Sequence, residues 1–221
     1  MERTYILGAD PGKHGAIVLY NEYDRSEVIC IPAKVKDGDL DTVYLWEQLL
    51  PYKNQISIAV MEKVHALFGS SAAGTFSFGE AVGSLRALLQ LLSQLSDNKF
   101  EVIEVQPKIW QKVAWSGTDI IKGEAVVDKK TGVPKVLKNG NIRRKTDTKA
   151  TSMQAASELF PGVSFIPKRC RIVHDGCVDA ALIAYYGQLY KNNKLNSGKG
   201  SCRSRLRLSH RASSGSKLKL P

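Results

Sequence analysis

The stretch that most constrains this chain is residues 4–16, TYILGADPGKHGA, a short apolar run that ends in a carboxylate. Tyr5, Ile6 and Leu7 have the apolar, β-branched character of a central strand. The run breaks at Pro11-Gly12, a pair that cannot continue a strand. A second strand, Ala16 to Tyr20, begins at once, so the two read as a hairpin. Asp10 is left at the end of a core strand, where a charge is costly without a cation or a set of donors. It could equally cap the turn through the local backbone, as Asp before Pro-Gly often does. This stretch alone leaves both readings open.

The remaining elements follow in order. Residues 4–9, 15–20 and 26–31 read as three successive strands joined by short turns. Residues 41–50, DTVYLWEQLL, form a helix that opens on Asp41 and is stopped by Pro51. ISIAVM, residues 56–61, is a continuous apolar run of the buried-strand type, and it too ends in an acid, Glu62. A small-residue loop at 66–77 leads into a helix from about Phe78 to Leu95. Phe78, Val82, Leu85, Leu89 and Leu92 share one face of that helix; Ala81, Leu88, Leu91 and Leu95 extend the apolar surface to a second. A stripe this wide suits a helix packed on a sheet and also against another surface. Residues 100–105 give a fifth strand, KIWQKVA a short helix, and 147–160 and 175–190 two more helices. An antiparallel meander feeding into β-α-β units predicts an α/β, RNase H-like fold, a mixed five-stranded sheet flanked by helices.

Charge is unevenly spread. The chain carries a net +11, but residues 192–221 hold eight Lys/Arg and no acid, leaving 24 Lys/Arg against 21 Asp/Glu in residues 1–191. The expected organisation is one domain over 1–191 and a basic tail over 192–221 that is disordered alone. Such a tail serves either as a polyanion-binding arm or merely as a solubilising extension. Between Ser116 and Lys149 there are nine Lys/Arg against four Asp/Glu, with Lys-Thr-Gly and Asn-Gly turn signals. Residues 116–148 therefore read as a basic insertion, a β-hairpin or flexible loop rather than a core element.

No apolar run approaches the ~20 residues of a membrane helix, and the first strand starts within five residues, leaving no room for a targeting peptide. A cytoplasmic protein is expected (in the host cytoplasm if viral), with no membrane partner. Cys30, Cys170, Cys177 and Cys202 form no CxxC pair, which favours reduced thiols. Cys170, His174 and Cys177 offer three zinc-type ligands, but a fourth is not evident.

The last helix brings the acids together. Asp175 and Asp179 lie four apart, on one helix face. Asp179 is followed by Ala180-Ala181-Leu182-Ile183-Ala184, so its carboxylate should face protein rather than bulk water. Asp10, Glu62, Asp175 and Asp179 all stand at element ends that could meet at one sheet edge. Four acids in one place are destabilising without cations, and oxygen-only ligands select hard ions such as Mg²⁺ or Mn²⁺. Two such ions can activate a water and stabilise the leaving oxygen of a phosphodiester. With basic appendages, this points to nucleic-acid cleavage.

GADPGKHGA, VMEKVHALFG, FSFGEAVGSL, QPKIWQKV and HDGCVDAALIAYYG, in this order over roughly residues 4–190, resemble the RuvC-type Holliday junction resolvases, most of all the phage and organelle branch that includes the plant chloroplast resolvase. The resemblance implies that Asp10, Glu62 and Asp179 bind the catalytic metals, two Mg²⁺ or Mn²⁺ per site. Bacterial members place a fourth acid where this chain has Gly176, so Asp175 or His174 would substitute, Asp175 being favoured. The resemblance further implies Lys112 and Lys149 near the scissile phosphate. It implies a homodimer that binds a four-way junction and cuts two strands symmetrically, since a two-fold substrate calls for two related sites. Helix 78–95 is the candidate interface. His65 and Phe68 would meet unpaired bases near the crossover, while Phe76 is expected to pack. Lys129, Lys130, Arg143, Arg144, Lys145 and the tail would contact phosphates.

Two other classes compete. An actin-like or sugar-kinase-like ATP-binding domain shares the early strand ending in Asp-x-Gly, but no second phosphate-binding turn is evident. GADPGKHG also mimics a Walker loop, yet Gly8 to Gly12 is one residue short and His14 replaces the Ser/Thr. A non-catalytic branched-DNA-binding protein would not need acids at all three core positions.

Overall fold

The structure is a computed structural model that describes residues 3–64, 71–167 and 170–198. The chain begins with three strands, β1 (Tyr5–Asp10), β2 (Ala16–Asn21) and β3 (Val28–Pro32), then a small hairpin of β4 (Val35–Lys36) and β5 (Asp39–Leu40). Helix α1 (Thr42–Leu49) follows and runs through a 3-10 turn (Leu50–Gln55) into β6 (Ile56–Glu62). Next come α2 (Ala72–Gln94), β7 (Glu101–Val105) and α3 (Pro107–Ala114). The excursion β8 (Lys122–Ala125) and β9 (Arg144–Thr146) leads to α4 (Thr148–Leu159) and α5 (Asp175–Gly198).

The main sheet has the order β3-β2-β1-β6-β7. β1 is antiparallel to β2 and parallel to β6, and β7 continues the parallel half. This mixed five-stranded sheet, with helices on both faces, is the RNase H-like arrangement that the element order predicts. The alternation along β1 explains the two layers. Tyr5, Leu7 and Ala9 join α1 and α2 residues such as Leu45, Leu85 and Leu89 in one core. Ile6, with Val18 and Val60, joins α3, α4 and α5 in the other. Strands apolar on both faces are what a sheet covered on both sides requires.

Helix α5 comes exceptionally close to the sheet. A Cβ added at Gly8 would lie 2.0 Å from the Ala180 carbonyl oxygen and 2.5 Å from the Ala184 nitrogen. One at Gly187 would lie 2.6 Å from Val60. At the start of the helix, a Cβ at Gly176 would lie 2.9 Å from both the His14 carbonyl oxygen and the Gly15 carbonyl carbon. Small residues on strand, turn and helix therefore let the backbones nearly touch.

Three sequence expectations are corrected. The stretch from Ala72 to Ser77, read as loop, is the first part of α2, with the Ser71 hydroxyl accepting from the Gly74 N–H at 3.1 Å. A Ser N-cap offsets the low helix propensity of Gly74 and Thr75 in the first turn. Helix α5 continues beyond 190 to Gly198, so the expected tail begins as helix, and its remainder lies outside the described residues. The β4–β5 hairpin was missed, although its Asp37-Gly38 pair, both at positive φ, is a hairpin-turn signal. No described helix is long and apolar enough to cross a membrane.

Glycine 8 tests this packing. Gly8→Ala is expected to destabilise the protein by ~3 kcal/mol or more through overpacking, read as a lower urea midpoint. Gly79→Ala, at a helical glycine with nothing within 4 Å of the added Cβ, should instead stabilise by ~0.5–1 kcal/mol.

Candidate metal and phosphate site

Asp10 ends β1 and Glu62 ends the adjacent parallel strand β6, so the two carboxylates leave the same edge of the sheet. Asp179 stands one turn into α5, which the close approach at Gly8 holds against β1. The electrostatics register how these groups face one another. The Asp10 carboxyl is pushed up to about 8, first by burial and then by the charges of Asp179 and Glu62. Asp179 is pushed up to about 6 by burial, with Asp175 adding to the rise. Glu62 is raised mainly by burial, and Asp179 contributes. The Asp10 carboxyl makes no hydrogen bond to its own turn among the described residues, and the charges of Asp179 and Glu62 act on it.

Neighbours act on two of these acids. The Trp110 indole N–H donates to Glu62 Oε2 at 3.0 Å from the buried face of α3. The Ser152 side chain, on the buried face of α4, draws the Asp179 pKa back down. Asp179 Oδ1 is buried with no hydrogen-bond partner. Neither Trp110 nor Ser152 was singled out from sequence. An aromatic in a short helix and a serine in another look like ordinary packing until tertiary structure points them at an acid.

Asp175 is exposed at the start of α5 and pairs with the Lys149 ammonium from α4. That pairing raises the Lys149 pKa, with smaller help from Asp179. Asp175 and Lys149 therefore form the outer rim of the acidic cluster. Lys112 is exposed in the last turn of α3 and makes no ion pair with a described residue. His174 is engaged elsewhere, its Nδ1 accepting the Cys177 N–H at 3.3 Å as it caps α5. Gly176 has no room for any side chain, which is why an acid cannot occupy that position here.

His65 and Phe68 lie outside the described residues. Phe76, expected to pack, is instead 68% exposed on the first turns of α2. The Phe78 ring of the same helix sits against the Gly12 turn, so this end of α2 adjoins the site. Lys129, Lys130, Arg143, Arg144 and Lys145 are all exposed on the excursion between α3 and α4, which joins the site through α4.

The donor set suits a hard divalent cation: three carboxylates, one with a buried and partnerless oxygen, each raising or raised by another. The side chains stand facing rather than closed on a point, since among the described residues no three His, Cys, Asp or Glu are grouped tightly enough to hold an ion. That includes Cys170, His174 and Cys177: Cys177 is buried and Cys170 exposed.

No known family model matches the chain, and no curated protein sequence matches it. Among solved structures, the chain is similar to RuvC of Thermus thermophilus, at 13% identity and a TM-score of 0.47, covering 86% of this chain and 97% of that one. It is also similar to the yeast mitochondrial Holliday junction resolvase Ydc2, at 15% identity and a TM-score of 0.46, covering 89% and 85% respectively.

The raised acids fix the sign of a pH effect. Asp10 holds its proton in the folded state up to about pH 8, whereas an unfolded Asp releases it near ~4. Its contribution is intact below the unfolded value and is lost as pH rises through the folded one. In chelator, Asp10→Asn should melt above wild type at pH 8, by roughly 2–4 °C per kcal/mol recovered. The gap should shrink towards pH 5, and an equal gap at both pH values would refute the effect.

Proposed function

We propose that this chain is a Holliday junction resolvase, a structure-selective endonuclease that makes paired symmetric nicks in four-way junctions. The observation that carries the reading is the meeting of Asp10, Glu62 and Asp179, from two parallel core strands and one helix, at a single sheet edge. The motif series and the basic charge support it beside that geometry.

Asp10, Glu62 and Asp179 would hold Mg²⁺ or Mn²⁺, two per site, with Asp175 at the rim. When bound, such ions supply Lewis-acid stabilisation of phosphodiester oxygens and an acidified water. The chain's own groups do the rest. Trp110 holds Glu62 through its indole N–H, and Ser152 beside Asp179 favours its ionised form. Lys149, held by Asp175, places a cation where a scissile phosphate would approach. Lys112, exposed in the last turn of α3, is the second cation expected near that phosphate.

A junction with two-fold symmetry calls for two sites related by a two-fold axis, and a second copy is the partner we assign to α2. The Val82, Leu85, Leu89 and Leu92 stripe is spent on the chain's own sheet. Leu91 and Leu95 remain about half exposed, Leu91 beside Val43 of α1. Trp46, Ala87, Leu88 and Leu91 help line an apolar cavity of about 420 Å³ there. Phe76 offers an exposed ring at the α2 end nearer the site, suited to stacking on an unpaired base.

The test is cleavage of a labelled synthetic four-way junction in Mg²⁺, beside linear duplex and the Asp10→Asn variant. Paired nicks at symmetric positions are expected on the junction alone, and none with the variant. Tight junction binding without cleavage in Mg²⁺ or Mn²⁺ would instead identify a non-catalytic branched-DNA-binding protein. In the same assay, Trp110→Phe should lower the rate by about tenfold or more while leaving junction affinity unchanged.

A further inference from the structure

Three backbone hydrogen bonds close a ring within the basic excursion. The Val126 N–H donates to the Arg143 carbonyl at 2.7 Å, the Arg143 N–H to Lys135 at 2.8 Å, and the Lys135 N–H to Val126 at 2.8 Å. Three limbs leave this ring, so the segment is neither a simple hairpin nor a loop. The stem is the β8–β9 pair. A second limb, bridged at Val127 and Pro134, turns through Lys129-Lys130-Thr131-Gly132. A third, bridged at Val136 and Ile142, turns through Lys138-Asn139-Gly140. Gly132 and Gly140 have φ of 71° and 82°, the left-handed conformation that tight tips need. Asp128 braces the first tip by accepting the Lys130 and Thr131 N–H groups at 2.9 and 3.3 Å.

Two properties of this module are unbalanced. Residues 122–146 carry eight Lys/Arg against Glu124 and Asp128. Lys135 pairs with Asp128 at 3.6 Å, and Arg144 donates to the Gly123 carbonyl. Lys122, Lys129, Lys130, Lys138, Arg143 and Lys145 have no ionic partner among the described residues. The limbs also bury no core of their own: Val133 and Val136 are 60% and 64% exposed, and Val127, Leu137 and Ile142 are exposed beside them. A duplex answers both deficits, with a dense line of phosphates and with apolar sugar and groove surfaces between them.

The base of the module is fixed to the active-site region. The Asp147 N–H donates to Ile121 at 2.9 Å, and the Ile121 N–H to the Thr151 hydroxyl at 3.1 Å. Asp147 and Thr151 belong to the start of α4, two residues either side of Lys149. From Lys122 to the Lys130 tip is eight residues, at most about 26 Å of strand, or roughly eight base-pair steps of duplex.

We propose that this three-limbed basic module grips one duplex arm of the substrate and supplies affinity that is independent of the branch point. The proposal rests on the resolvase reading for the arm's place in a junction, but not for duplex binding itself. It is tested with Lys129→Ala/Lys130→Ala/Lys138→Ala, three exposed tip residues, after a matching thermal melt shows that the fold is retained. Binding to a four-way junction and to linear duplex is measured in chelator over a salt series.

Loss of three phosphate contacts should flatten the log K against log salt slope by about 2.7 on both DNAs, at about 0.9 per contact. The ratio of junction to duplex affinity should stay unchanged. Wild-type affinity should fall for junction arms shorter than about eight base pairs, and the variant should lack that dependence. An unchanged slope, a loss confined to the junction, or a variant altered only in oligomeric state would overturn the proposal. If wild type shows no junction preference while the variant still loses duplex affinity, the module's role stands and the resolvase reading falls. If wild type resolves junctions and the variant's slope is unchanged, the reverse holds.

Discussion

The near-contact between α5 and β1 is the constraint on which the rest depends. Gly8, Ala180 and Ala184 let helix and strand backbones approach to distances that no larger residue allows. Gly15 and Gly176 do the same between the turn after Asp10 and the helix start. Because these contacts are backbone to backbone, they leave little freedom in the height or rotation of α5. The position of Asp179 relative to Asp10 is therefore set by the absence of side chains elsewhere. Packing of this kind transmits position as rigidly as a covalent link, since interiors do not deform continuously.

That rigidity has an electrostatic cost. Three acids are pressed into one another's fields, and each is raised by burial or by its neighbours. A fold that merely needed to be stable would place apolar residues there. The helices around the site limit the cost: Trp110 donates to Glu62, Ser152 lowers the pKa of Asp179, and Lys149 offsets Asp175. What stays unsatisfied is above all Asp179 Oδ1, buried without a hydrogen-bond partner. Departures of this sort from a purely stabilising pattern are expected at functional sites.

Much of this was legible in the sequence, for identifiable reasons. Strands that end in an acid after an apolar run announce both the element and its unusual terminus, so the strands before Asp10 and Glu62 and the mixed five-stranded sheet could be read directly. The alternation of small and apolar residues after Asp179 gave its orientation. The supporting residues were hidden because their partners lie far away in sequence: Trp110 is 48 residues from Glu62. Phe76 was misjudged because aromatic residues usually pack, while here the Ser71 cap starts the helix early and turns that ring outward. The excursion's charge was evident, but its branching was not, because a ring of three backbone bonds leaves no trace in side-chain pattern.

That ring also bears on how such a segment can change over time. Each of its three carbonyls and three N–H groups is satisfied by a different limb. Trimming one limb would break ring bonds that the other two share, so the loss of order would fall on parts that were not altered. Removing the whole excursion at its stem, between residues 121 and 147, would leave no such debris. The segment is therefore modular in the sense of inheritance: lineages can acquire or discard it entire, while its limbs can vary only at their tips.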